Sequence, residues 1–164
     1  MATSANTQPT LPARVQQGDR HDDVLACLAM LTGNTLEGLR AVAENHGMPK
    51  IGPFHSHISD EAFIARVLGS FGLVSTNWKA ADSFTSLPTV AIAGVDADLD
   101  YATCRCVLFC RMPATKESPE QQFVIDPYPH ADSKLHVRSD LSNLAVSWYI
   151  GVHQMPSASK TKAK

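Results

Sequence analysis

Charge is scarce in this chain. Asp, Glu, Lys and Arg together make up 18% of its 164 residues, and the formal net charge at pH 7 is −2. Without a basic excess there is no electrostatic footprint for nucleic acid or for an anionic membrane surface. No apolar run approaches the roughly 18–20 residues that a bilayer span needs. The N-terminal residues also lack the charged-then-apolar plan of a secretory signal. These absences lead to the expectation of a protein that folds in a cytoplasm, with neither nucleic acid nor membrane as partner. Cysteine is sparse too: Cys27, Cys104, Cys106 and Cys110 are the whole set of four. Residues i and i+2 of one strand share a face about 7 Å apart, too far to bridge without distortion. No C-x-x-C pair and no close His-x-x-x-His accompanies them, so no zinc site is expected. Reduced, mostly buried thiols are the expectation, with no metal and no cofactor.

What is present is one domain with a polar segment at each end. Residues 1–14 are rich in Ser, Thr, Asn, Gln and Pro and contain no acidic residue. They read as a flexible tail, and their composition is similar to the leader of a bacterial type III secreted protein, which leaves a leaderless secretion route open. Residues 156–164, "PSASKTKAK", form a basic tail. The folded part is expected over 15–155.

Within it, helices come first. "DVLACLAMLTG" is apolar almost all round and ends at Gly33, so a helix starting at Asp22 or Asp23 should be buried on most sides. "NTLEGLRAVAENHG" predicts a second helix, with Asn34 as cap and Glu37 three residues on. "SDEAFIARVLGSFG" predicts a third, capped by Ser59. Beyond Leu73 the pattern turns to strands at Pro88–Val95, Cys104–Arg111, Gln122–Asp126 and Ser147–Val152, with "KLHVR" as a further short one. "MPATKESPEQ" is the hairpin loop between the second and third strands. Helices followed by four to six antiparallel strands make an α+β fold.

The order of a glutamine, a central apolar helix ("ACLAMLTG"), two more helices, a "VLF" strand, a hairpin, "VIDP" and a closing "WYIGV" resembles the papain-like fold in its compact bacterial form, the C39-like peptidases. The resemblance covers most of residues 15–155. It implies four working positions: a nucleophilic cysteine at the helix start, a histidine on the facing strand, an acid that orients it, and a glutamine six residues before the cysteine that lines the oxyanion hole. Laid on this sequence, the glutamine position is Gln17 and the orienting acid is Asp126. The nucleophile position is Asp23, and the histidine position is Arg105. Arginine stays protonated and cannot serve as a base. A carboxylate can sit at a helix N-terminus, where negative charge is favoured. The resemblance therefore implies a degenerate site in which Arg105 forks between Asp23 and Asp126 as an inert charge trio. On that expectation, the double substitution Asp23→Cys, Arg105→His is better tolerated than either single change.

Other residues are weighed beside these. Cys27, one turn below Asp23, is a displaced-nucleophile candidate, but its place inside the helix favours a core thiol. His55 and His57, with Asp60 nearby, form a metal or ligand-contact candidate, although a polar loop ahead of a capped helix explains them as well. His130 and His136 read as surface. Tyr128, set between Pro127 and Pro129, and Trp148 on the last strand are candidate anchors for a peptide. The expected function is a catalytically inactive peptidase-like domain that binds a peptide or protein partner through Gln17, Asp23, Arg105, Asp126, His55, His57, Tyr128 and Trp148. Transporter-attached degenerate domains of the family imply such a docking role, and a second copy of the chain is among the possible partners. Two alternatives stand beside it: a cysteine hydrolase using Cys27 or a strand cysteine, and a secreted effector acting on a host protein.

Overall fold

A computed structural model of the chain describes residues 10–51 and 59–156. Among the described residues, three helices precede a seven-stranded antiparallel sheet, as the change of hydrophobic period near residue 73 requires. α1 (Asp23–Thr32) is buried from Asp23 to Met30, because its sequence offers no polar face to solvent. It stops at Gly33, whose φ of 67° is left-handed and whose N–H returns to Ala29 O, a conformation open to glycine at little cost. α2 (Leu36–Asn45) is amphipathic and buries Leu39 and Ala43. α3 (Glu61–Gly69) buries Phe63, Ile64, Val67 and Leu68.

Two caps differ from expectation by one residue. Thr35 rather than Asn34 caps α2, its hydroxyl accepting from Gly38 N at 3.0 Å. Asn34 belongs instead to the end of α1, where its amide donates to Thr32 Oγ1 at 3.0 Å. Asp60 rather than Ser59 caps α3, accepting from Phe63 N at 2.7 Å. The Ser59 carbonyl is meanwhile taken by the indole N–H of Trp78 at 2.9 Å. In each case the neighbouring polar residue already had a partner from another element.

The strands are β1 (Leu73–Ser75), β2 (Lys79–Ala80), β3 (Val90–Asp98), β4 (Thr103–Met112), β5 (Gln121–Ile125), β6 (Val137–Arg138) and β7 (Val146–Gln154). They run in the order β1-β7-β3-β4-β5-β6, and β2 joins the same edge of β7 as β1. The four long strands and the short β6 lie where the sequence pattern placed them. β1 and β2 are too short to carry an alternation and exist because β7 offers them an edge.

Period-two alternation gives the sheet two apolar faces. On β4, Cys104, Cys106, Leu108 and Cys110 face the helices, together with Ile92, Ile125 and Ile150. Val107 and Phe109 face the other way, joining Ala91, Ala93, Val95 and Val124 in a second cluster that Phe84 and Leu87 cover. The cysteine stripe is thus half of a helix-on-sheet core, and all four thiols are free. Residues 10–14, within the expected N-terminal tail, carry contacts. Leu11 packs against the core, and Arg14 donates to Asp126 O at 2.6 Å and to Tyr128 O at 3.0 Å. Among the described residues, no helix is long and apolar enough to cross a membrane.

Candidate functional site

The start of α1 meets the start of β4. A loop from Gln17 delivers the chain to the helix, tied down by Gln17 N donating to Pro127 O at 3.0 Å. Asp22 is 2% exposed, accepts from Asp19 N at 2.8 Å, and pairs with Arg40 of α2, so the helix start is anchored before the site begins. Asp23 follows in the first turn, 6% exposed. Its Oδ1 accepts from Val24 N at 2.9 Å, and its Oδ2 accepts from the backbone N–H of Cys106 at 2.6 Å. The carboxylate therefore stitches the helix N-terminus to the middle of the sheet, with the helix dipole favouring its charge. A cysteine in that seat would face the same N–H with a weaker acceptor.

Arg105 sits beside this stitch but points to the other face of β4. Its Nη1 donates to Asp126 Oδ2 at 2.6 Å, and its Nε donates to Asp96 Oδ2 at 2.7 Å. The expected fork between Asp23 and Asp126 is thereby corrected to one between Asp96 and Asp126. The reason is alternation: Cys104 and Cys106 turn their side chains toward the helices, and Arg105, between them, leaves from the opposite face. Asp96 is within reach because β3 carries a bulge between Val95 and Asp98, where Asp96 has a φ of 51°. Such a bulge re-aims one side chain. Asp126 is 2% exposed, and its second oxygen accepts from Tyr128 N at 3.0 Å. Burial works against the Arg105 charge, but Asp126 and Asp96 outweigh it and push its proton loss to still higher pH. The guanidinium is a fixed cation with no capacity for base catalysis.

Two cavities flank Asp23. One, of about 300 Å³, is walled by Asp23, Cys104, Cys106, Trp78 and Trp148. The other, of about 510 Å³, is walled by Gln17, His21, Asp23, Cys104, Arg105 and Tyr128. Asp23 and Cys104 form the partition between them. Around this partition the structure gathers Gln17, Asp23, Arg105, Asp126, Tyr128 and Trp148. His55 and His57 lie outside the described residues. The Gln17 side-chain amide donates to Asp19 O at 2.9 Å. Trp148 and Tyr149 split between faces as alternation demands, Trp148 toward the cleft and Tyr149 onto the second cluster. His130 sits edge-on to Tyr128, with ring centroids 5.6 Å apart, and His136 Nε2 lies 3.0 Å from Ala131 O.

The thiols divide sharply. Cys27 is fully buried, and burial, then Asp23 and Asp126, push its pKa well up. Cys110 is pushed up to about 11 by burial. Cys106 is raised by its hydrogen bond with Cys104 and by burial. Cys104, half-buried, is lowered by that same hydrogen bond, against opposing pushes from burial and Asp23. Cys27 thus has neither the exposure nor the ionisation of a nucleophile.

Sequence reasoning missed Asp96, His21 and Trp78. Asp96 acts through a bulge that no local pattern announces. Trp78 follows an irregular stretch, and its indole is placed by Ser59 across the chain. Cys104 was read as part of a core stripe, with a strand cysteine kept as an alternative nucleophile; the structure sets it at the end of the strand, where it lines a cleft. Among the described residues, no group of three or more His, Cys, Asp or Glu is placed to hold a metal ion.

The α+β architecture, with helices packed on an antiparallel sheet, is C39-peptidase-like in fold. Two solved structures are similar. The peptidase domain of Streptococcus ComA, a bifunctional ABC transporter of a quorum-sensing pathway, superposes with a TM-score of 0.55 at 15% identity, covering 89% of this chain and 100% of its own. A double-glycine-motif protease from an AMS/PCAT transporter, in complex with its leader peptide, superposes with a TM-score of 0.54 at 10% identity, covering 92% and 96%. At such identities the likeness lies in the fold. No protein-family model matches the sequence, and no curated protein is similar to it in sequence.

Proposed function

We propose that this chain is a peptidase-like domain that holds an extended peptide across the two clefts without cleaving it. The observation that carries this reading is the state of Asp23. At the position that the sequence resemblance assigns to a thiolate, the Asp23 carboxylate has both oxygens engaged by backbone N–H groups. Across the strand, Arg105 is locked between Asp96 and Asp126 and cannot take a proton. What remains is a binding geometry: Trp78 and Trp148 on one side of Asp23, Gln17 and Tyr128 on the other. Aromatic walls beside a cleft suit side-chain anchoring of an extended segment. That one structurally similar protease was solved in complex with a leader peptide supports a peptide as the ligand.

The test uses the full chain with a synthetic peptide that carries a double-glycine motif. Binding should change the fluorescence of Trp78 and Trp148, and the peptide should be recovered intact by mass spectrometry after prolonged incubation. Cleavage that disappears when thiols are blocked would overturn the reading. It would favour a second one, a cysteine hydrolase built on Cys104, which shares the larger cavity with His21.

A further inference from the structure

The smaller cleft carries one sign of charge. Among the described residues that wall it, Asp23 is the single charged one, and Trp78 and Trp148 are its aromatic walls. The N–H groups that hold Asp23 bear no formal charge, and Arg105 is committed to Asp96 and Asp126 on the other face of β4. Trp78 is fixed by two bonds: its backbone N–H donates to Glu61 Oε2 at 3.0 Å, and its indole N–H donates to Ser59 O at 2.9 Å. With the indole donor spent, the ring offers a ligand its π surface, and Glu61 sets a second carboxylate close to it. Trp148 of β7 pairs with Gly94 of β3, which pairs in turn with Cys106 of β4. A Cβ at position 94 would come within 2.7 Å of Cys104 Sγ, so any side chain there would displace a wall of the cleft. The volume of about 300 Å³ lies at the small end for ligand sites and suits one long side chain.

We propose that this cleft is a pocket for an organic cation on an aliphatic stem, filled in the bound peptide by a lysine or arginine side chain; the peptide half of this statement rests on the function proposed above. The ammonium or guanidinium meets the Asp23 carboxylate and lies against the indoles, whose faces carry negative potential. Partial exclusion of water by the walls strengthens both attractions. The methylene stem packs on Val24, Ala102 and the Cys104 thiol, as the stems of long charged side chains do on apolar surface. An acidic side chain meets Asp23 as a like charge. A neutral side chain of the same length keeps the packing and loses both attractions. The larger cleft across Asp23 does not share this selectivity, because Arg20, Arg105 and Asp96 give its wall charges of both signs.

The experiment titrates the full chain with end-blocked peptides Ala-Ala-X-Ala-Ala, X being Lys, Arg, norleucine, citrulline or Glu. Butylammonium and butylguanidinium, the side chains without a peptide, are titrated beside them. Calorimetry gives the affinities, and tryptophan fluorescence reports occupancy, since the chain's two tryptophans both line the cleft. The Lys and Arg peptides should bind about ten-fold tighter than the norleucine and citrulline peptides, with the Glu peptide weakest. Trp148→Leu leaves every charge in place and should remove this preference, as should Asp23→Asn. Thr103→Lys, at an exposed position on the rim, supplies an internal cation and should weaken the cationic peptides without disturbing the core. Equal affinity for all the peptides overturns the proposal and leaves peptide binding standing, as does a cationic preference that survives both Trp148→Leu and Thr103→Lys. Butyl cations that bind with the same dependence on Trp148 and Thr103, while no peptide binds, uphold the cation pocket and remove the peptide reading. Absence of binding by every cationic probe overturns the pocket itself.

Discussion

Truncating Arg105 tests the wiring of the site directly. Arg105→Ala removes two ion pairs of unequal worth. The bond to Asp96 joins side chains that are 32% and 48% exposed, so it contributes about 0.2–1 kcal/mol. The bond to Asp126 is different, because that carboxylate is 3% exposed and keeps only the Tyr128 N–H once the guanidinium is gone. A stranded buried acceptor costs about 1–3 kcal/mol. With the arginine about a third exposed, screening brings the expected figure to about 1–2 kcal/mol. Asp23→Ala strands the Cys106 N–H inside the sheet and should cost a comparable ~1–3 kcal/mol, with a smaller loss from the helix dipole. The informative measurement is a pair of double-mutant cycles by urea unfolding, followed by tryptophan fluorescence. Arg105 and Asp126 should couple by about 1 kcal/mol or more, whereas Arg105 and Asp23 should be additive within about 0.5 kcal/mol. Asp23→Cys with Arg105→His should likewise show no mutual rescue, contrary to what the sequence pattern suggested. A coupling between Arg105 and Asp23 as large as that between Arg105 and Asp126 would refute the two-sided wiring described above.

Two further outcomes follow from the same geometry. Cys110 is protonated in the folded state up to about pH 11, against an ordinary value of 9.0. Its contribution to stability is therefore full below about pH 9 and is lost as pH rises toward 11. Urea midpoints measured from neutral to alkaline pH should fall more steeply for the natural chain than for Cys110→Ala; parallel curves would show that this thiol does not contribute to the alkaline limb. Gly33→Ala should lower stability by about 1 kcal/mol, because the α1 terminus holds a φ of 67° that alanine adopts only under strain, and an unchanged unfolding midpoint would contradict that assignment of the turn.

Much of the architecture was legible in the residues because it depends on local periodicity. The unbroken apolar character of α1 announced its burial, Gly33 its end, and the alternating runs from 90 to 154 the long strands of the sheet. The same patterns located Asp23 at a helix start and Asp126 just after a strand. Local pattern could not assign the partners. Whether Asn34 or Thr35 capped α2 depended on Thr32, and Asp60 took the α3 cap while Trp78 claimed Ser59. Two-residue β2 has no alternation to read and is defined by Tyr149 and Trp148 across from it.

The sequence by itself determined which residue types stand at the helix start and along β4, a carboxylate at Asp23 and a guanidinium at Arg105. Only the tertiary structure decided how those charges are used. The pleat of β4 turns Arg105 away from the helices, the Cys106 backbone N–H is left to Asp23, and a one-residue bulge in β3 delivers Asp96 to receive the guanidinium. Register and bulges arise from pairing between segments far apart in the chain, so no window of neighbouring residues contains them.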